Sequence, residues 1–403
     1  MINLSIIYNK QQEEIINMGV NFILNSSEQV FEYDGEAGTG KSFILFEIFR
    51  RAGLKMRDIM PMAYTGQAAI VMRTKGFTKA ATIHSSIYEI KEEPVIDTET
   101  RLDKINTHFN TPMVREVFVP KEKLPDNIKL LVIDEGYMVP ERMKPELEKY
   151  GIKIIVTGDR GQLPPVNSAP AYLYRDDIPH LTELMRQNEN DGIVYIARRA
   201  RNGLPIHCGQ YGNVLIIEES DLTNRMIMAS DIVLCGTNRK RDYFNNYIRS
   251  NILDIHDTLP VYGDRMICRK NNWNIEIDGI SLANGLVGTV TMPPDVGHFD
   301  NRQYLMDFMP DLTTDSFHNL CCDYEYLIAD TEEKHKIKND KFQRGELFEY
   351  AYSSTTHLCQ GSEYNGGIYL EEYMGNIQNN LNYTGITRFK NWMIYVKKSR
   401  KYY

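Results

Sequence analysis

The stretch Gly35-Glu36-Ala37-Gly38-Thr39-Gly40-Lys41-Ser42 constrains this chain more than any other. It matches G-x-x-x-x-G-K-[ST], a loop whose backbone cradles phosphates. Residues 30–34 before it read as a strand, and Phe43, Ile44, Leu45, Phe46 and Ile48 after it continue a helical apolar run. Strand, glycine turn and helix are the context such a loop needs. The glycines let backbone N–H groups approach phosphate oxygens with no Cβ in the way. The helix start adds partial positive charge. Lys41 is expected to neutralise phosphates and Ser42 to hold Mg²⁺, with Gly35, Gly38, Thr39 and Gly40 completing the cradle. The expected fold class is therefore α/β. Alone, the loop admits a kinase, a GTPase or a transporter ATPase.

A chain of 403 residues is too long for one ordinary core and suggests two to four domains. Its 42% hydrophobic and 25% charged residues are ordinary for a soluble globular protein. No apolar run reaches the roughly 18 residues of a membrane span. The start, Met1-Ile2-Asn3-Leu4, lacks a basic region and a small-residue cleavage site, so no secretion signal is expected. Cys208, Cys235, Cys268, Cys321, Cys322 and Cys359 form no C-x-x-C pair. That pattern predicts reduced thiols and a cytoplasmic protein, not zinc or a disulfide framework. The net charge of −8 argues against a wholly basic nucleic-acid binder, but a local basic groove remains open.

Along the chain, Gln11 and Gln12 lie in a helix shortly before the loop. A glutamine there can read an adenine edge with one donor and one acceptor; a solvated helix start is the equal alternative. Thr65, Thr82 and His84 could hold the phosphates of a bound strand, or cap loops. Residues 89–127 are charged and proline-interrupted and read as an inserted hairpin. Phe109 and Phe118 in it could present an aromatic edge to nucleic acid, although filling a small core of their own is the commoner role.

Leu130-Leu131-Val132-Ile133 is an apolar run without alternation, as in a parallel strand buried on both faces, and it ends in Asp134-Glu135. Carboxylates at that end stand where α/β sheets bind ligands. Asp134 is expected at Mg²⁺ through water, and Glu135 at the attacking water. Gln162 could touch a terminal phosphate, stiffened by Pro164 and Pro165. Arg186 and Arg388 are candidate arginine fingers. Residues 260–348 carry short strands between Gly, Asn and Pro turns, which predicts a small β-barrel inserted into a second α/β unit. Trp273 in it either stacks on a base or plugs the barrel, with the plug favoured.

In their order these stretches resemble a superfamily 1 DNA helicase of the RecD/Dda type (superfamily 1B), over about residues 8–396. The resemblance rests on 35–42, on Gln12 or Gln11, on Thr65-Gly66-Gln67-Ala68-Ala69, and on Thr82-Ile83-His84. It continues through Asp134-Glu135, Gly158-Asp159 with Gln162-Leu163-Pro164-Pro165, and Arg186-Gln187. Thr355 and His357 with Gln360-Gly361-Ser362-Glu363, then Tyr383 with Thr387-Arg388, complete it. Tyr64, Gly136-Tyr137 and Leu358-Cys359 depart from the family pattern, and Leu358 removes a phosphate-contacting charge.

The resemblance implies two RecA-like domains with ATP and Mg²⁺ between them. The first would span 1–88 and 128–185, with a wedge hairpin at 89–127. The second would span 186–259 and 349–403, with an SH3-like insert at 260–348. Lys41, Glu135, Gln162, Arg186 and Arg388 would serve hydrolysis, and Gln12, Gly361 and Glu363 would join the nucleotide site. Thr65, Thr82, His84, Thr355 and His357, with Phe109 and Phe118, would touch DNA. The implied activity is ATP-driven movement on single-stranded DNA, 5′→3′, with duplex unwinding. Single-stranded and forked DNA are the implied partners, with replication or recombination proteins, for a monomer in the cytoplasm (of a host, if phage-encoded). An ATP-gated translocase or loading factor that does not separate strands is the alternative, and RNA as the track stays open.

Overall fold

The computed structural model describes residues 8–94, 105–106, 111–112, 114–185, 191–277, 280–295, 302–339 and 344–398. Phe109, and Arg186 with Gln187, lie outside the described residues.

Two six-stranded sheets organise the chain. The first runs, in spatial order, His180–Leu181, Val30–Gly35, Lys153–Gly158, Leu130–Ile133, Ile59–Ala63 and Ala81–Thr82. Every pairing in it is parallel. Parallel strands joined by helices must be covered on both faces. Leu130, Leu131, Val132 and Ile133 accordingly have 0% exposure. Alternate residues feed two cores: Leu130 and Val132 pack with Ile44, Ile48 and Phe77, while Leu131 and Ile133 pack with Ile83, Val139 and Tyr172. The loops after Val30–Gly35, Leu130–Ile133 and Lys153–Gly158 thus emerge at one edge. These are the phosphate loop, Asp134-Glu135 and Asp159 to Gln162.

The second sheet runs Gly209–Tyr211, Val214–Glu218, Phe389–Lys397, Tyr364–Leu370, Ile232–Cys235 and Ser353–Thr355. Only its first pairing is antiparallel. Glu363 and Arg388 stand just before two of its strands, so this sheet turns strand starts, not strand ends, toward the phosphate loop.

Two insertions depart from these units. Tyr88–Pro94 pairs antiparallel with Val114–Pro120, the hairpin expected within 89–127. Arg265–Cys268, Val287–Asp295, Gln303–Pro310, Phe317–Asp323 and Phe348–Tyr350 form a five-stranded antiparallel sheet around Met266, Tyr304, Phe308 and Phe348. The sheet curls on itself: Glu346 donates to Cys321 O at 2.7 Å and accepts from Asp323 N at 3.0 Å. Trp273 does not plug it. The ring belongs to a side hairpin, Asn272–Ile277 with Ile280–Leu282, and meets Phe118 edge-on at 6.3 Å and 86°. The interior is already filled by the aromatic and aliphatic residues of the five strands, which leaves Trp273 to face the first unit beside Gly66, Thr82 and Ser85. No described helix is long and apolar enough to cross a membrane.

Candidate active site

The phosphate loop needs two left-handed residues, Gly38 and Gly40, both at φ 84°. A Cβ on Gly40 would also meet Gln12 Nε2 at 2.9 Å, so glycine is required there twice over. Thr39 Oγ1 donates to Glu36 O at 2.8 Å and pins the turn. Lys41 opens the helix Lys41–Arg51, and its ammonium donates to Gly35 O at 2.8 Å and Glu36 O at 3.0 Å. The lysine therefore lies across the mouth of its own loop. Gln12 is fully buried. Its carboxamide accepts from Asn9 N at 3.2 Å and donates to Thr39 O at 3.1 Å, so it braces the loop from behind. Gln11 is the more exposed of the two and bonds Thr182.

Ser42 Oγ donates to Asp134 Oδ2 at 3.2 Å. Hydroxyl and carboxylate so close form a hard-oxygen pair that fits Mg²⁺. The next residue, Glu135, has φ 54°, a left-handed backbone that costs a side-chain-bearing residue about 1–3 kcal/mol and is found mainly at functional sites. Its N–H donates to Asp134 Oδ1 at 3.0 Å. Burial raises the Glu135 carboxyl above its usual range; Arg388 opposes this and Asp134 adds to it.

From the second unit, Arg388 brings its Nη1 to 4.0 Å from Glu135 Oε1. The guanidinium is 4% exposed and held by the carbonyls of Thr384 at 3.1 Å and Ser362 at 3.3 Å. Glu363 lies 2.6 Å from Lys390 and 3.4 Å from Lys75 of the first unit. Gly361 is left-handed at φ 82°, and a Cβ there would strike Ala68 Cβ at 2.5 Å. These groups, with Lys41, Ser42 and Gln162, line one cavity of about 780 Å³ between the two sheets.

The loop after Gly158 is bolted to the second unit. Leu163 N donates to Thr384 Oγ1 at 2.8 Å, and Gln360 Nε2 donates to Leu163 O at 2.9 Å. Asn380 Nδ2 donates to Gly161 O at 3.0 Å and Gln162 O at 3.1 Å. Within this fixed loop the Gln162 Oε1 is buried without a hydrogen-bond partner. A buried polar atom left unpaired is costly and is expected to find its partner in the functioning complex.

Sequence reasoning missed four contributors. Arg198 Nε donates to Glu36 Oε2 at 2.7 Å, and Arg201 lies 3.6 Å from Glu36 and 3.7 Å from Asp159. Both arginines lie on the helix Gly192–Arg201, whose charged face reads as solvated. Lys75 and Lys390 sit outside any motif, and nothing in their spacing marks them.

The residues expected on DNA are arranged otherwise. Thr65 and Thr82 cap helices, accepting from Ala68 N at 3.2 Å and Ser85 N at 3.1 Å. Thr355 accepts from Leu358 N at 3.3 Å and is 4% exposed. As acceptors, their hydroxyls thus order local turns. His84 is stacked on Tyr88 at 5.7 Å, and burial lowers the pKa of both His84 and His357. Phe118 is 48% exposed on the hairpin.

Comparison with known proteins bears on the fold. The model of a family described as AAA domain matches residues 7–219. An uncharacterized protein of Acanthamoeba polyphaga mimivirus, R530, is 29% identical over 210 residues. That match takes in 46% of this chain, and this chain covers only 40% of the relative's length. Among solved structures, the Pif1 helicase of Candida albicans aligns over 97% of this chain and 94% of its own, with TM-score 0.52 and 17% identity. A Bacteroides Pif1 helicase in complex with ADP-AlF3 and single-stranded DNA aligns over 97% of this chain and 92% of its own, with TM-score 0.54 and 16% identity. These likenesses show the fold: a P-loop α/β architecture with insertions, as in the Pif1 helicases.

Proposed function

We propose that this chain, which belongs to the AAA-domain family matched over residues 7–219, is an ATP-driven DNA helicase of superfamily 1B. The observation that carries the reading is the approach of Arg388 to Glu135 across the cavity, 4.0 Å apart and from different sheets. A site divided between two units lets the bound triphosphate close a cleft and its loss release it, which is the step a motor needs.

In this reading Lys41 and the loop N–H groups bind the phosphates of ATP. Ser42 and Asp134 would hold Mg²⁺, which would supply positive charge against the charge developing on the phosphates. Glu135 takes the proton of the attacking water, and its raised pKa suits a base. Arg388 stabilises charge on the transferring phosphoryl group, and Gln162 meets the terminal phosphate with its carboxamide N–H, leaving the buried Oε1 to accept from water. Arg186 is kept as a second candidate. The Gly161–Leu163 bonds to Thr384, Gln360 and Asn380 transmit the event to the second unit.

The track is single-stranded DNA, in keeping with the single-stranded DNA named for the Bacteroides Pif1 helicase of the same fold. His84 and His357 would meet it as neutral rings, and the capping threonines would order the loops that touch it. The hairpin with Phe118 serves as the wedge, and Phe109 belongs to the same segment. The curled five-stranded sheet corresponds to the SH3-like insert. Movement is 5′→3′, on the likeness to the RecD/Dda type. The domain limits are those read from the sequence, and the chain works as a monomer. The deciding experiment offers ATP with 5′-tailed, 3′-tailed and RNA-tailed duplexes. Unwinding of the 5′-tailed DNA alone is expected. Preference for a 3′ tail sinks the polarity, and ATP turnover without displacement replaces the helicase by a translocase or loading factor.

A further inference from the structure

Lys75 follows the helix Gly66–Thr74, whose small residues pack at the junction of the two units. Its backbone is fixed by bonds from its N–H to Val71 O at 3.2 Å and Met72 O at 3.1 Å. Its side chain borders the cavity shared by Lys41, Ser42, Asp134, Glu135 and Arg388. The ammonium lies 3.4 Å from Glu363 Oε1, a contact from one unit to the other. Burial pulls the pKa of this lysine down, but Asp134, Glu363 and Glu135 outweigh it and keep the ammonium charged. Asp134 is the strongest of these charged neighbours. Glu363 has a nearer cation in Lys390, at 2.6 Å. One cation therefore stays with Glu363 when Lys75 leaves it.

We infer that Lys75 is a second phosphate-binding lysine, aimed at the terminal phosphate of a nucleoside triphosphate and held in waiting by Glu363. The inference rests on the ATP site proposed above. Lys41 serves the phosphates from inside the loop; Lys75 reaches them from the far wall, beside Asp134 and Glu135. Those two carboxylates repel a triphosphate most strongly at its last group. A cation there offsets that repulsion only when the last group is present. Lys75 therefore selects a triphosphate over a diphosphate, and in leaving Glu363 it couples binding to movement between the units.

The test compares binding of ADP and of a non-hydrolysable ATP analogue, both with Mg²⁺, to the full chain by calorimetry. In Lys75→Met, affinity for the triphosphate analogue is expected to fall about tenfold, the size of a lost charge-assisted hydrogen bond. Affinity for ADP should stay within about twofold on the same scale, and Lys75→Arg should recover most of the loss. A merely structural lysine would weaken both nucleotides alike and lower the melting temperature, and that result overturns the inference. So does an unchanged ratio of the two affinities. If the unaltered chain binds neither nucleotide, the ATP site itself is wrong and the inference falls with it. If it binds both and Lys75→Met discriminates as before, only the role of Lys75 falls.

Discussion

The backbone N–H of Ala37, in the phosphate loop, donates to the phenol oxygen of Tyr383 at 3.2 Å, and that phenol donates to Asp159 Oδ2 at 2.5 Å. One side chain from the second unit thus ties two loops of the first. The phosphate loop cannot shift without being felt in the helix Gln378–Ile386, which also carries Asn380 and Thr384. Tyr383→Phe keeps the ring and removes the link. Asp159 is fully buried and would lose a donor, so a cost of about 1–3 kcal/mol in unfolding free energy is expected. Urea titration measures it, and an unchanged midpoint would show that the phenol bridge contributes nothing.

Arg388→Ala should leave nucleotide affinity near normal and reduce turnover by about 10³ or more, the scale of a lost arginine finger. Lys41→Ala should instead abolish binding itself. Calorimetry beside a phosphate-release assay separates the two. Loss of binding in Arg388→Ala would mean that the arginine holds the cleft shut and does not act on the phosphoryl group. That alternative is real, because its guanidinium also bonds the carbonyls of Thr384 and Ser362.

Gln162 should act on coupling more than on affinity. Its loop is fixed to Asn380, Thr384 and Gln360, while its own Oε1 is unpaired. Gln162→Ala removes the unpaired group and keeps the fixed loop. The expected result is ordinary ATP binding with a several-fold loss of DNA-stimulated turnover, in line with the effect of residues that orient the attacking water. Stimulation equal to the unaltered chain would remove Gln162 from the proposed relay.

The sequence carried what parallel sheets make obligatory. Leu130–Ile133 is apolar at every position because both faces are covered, and its acids fall at the strand end because that is where such sheets open. The phosphate loop was legible because only glycine tolerates its backbone. What escaped was tertiary. Arg198 and Arg201 look like a solvated helix face until Glu36 and Asp159 are brought to them from another sheet. Lys75 gains its meaning from Glu363, 288 positions away by sequence number, through packing that no local pattern encodes. For Gln12 the pattern leaves an adenine edge and a solvated helix start equally open, and the fold turns the side chain inward onto Thr39. Trp273 leaves both a plug, slightly favoured, and a base-stacking ring open, because a tryptophan beside short strands does not say which side of the sheet its hairpin folds to.

Glu363 makes the join between the units sensitive to acid. Burial alone would raise its carboxyl, but Lys75, Lys390 and Arg388 outweigh burial and hold it at about 2 against an ordinary 4.5. A depressed carboxylate stabilises the folded state fully above its unfolded pKa, and that contribution is lost as pH falls through the folded one. The window here is therefore from 4.5 down to about 2. Glu363→Gln removes the charge at every pH. Its melting temperature should lie below that of the unaltered chain by a constant margin at neutral pH, and the margin should shrink as pH falls below about 4.5. Melting curves of both proteins from roughly pH 3 to 7 measure the difference. A margin that stays constant through the acid range would show that the stabilisation comes from the shape of the Glu363 side chain and not from its charge.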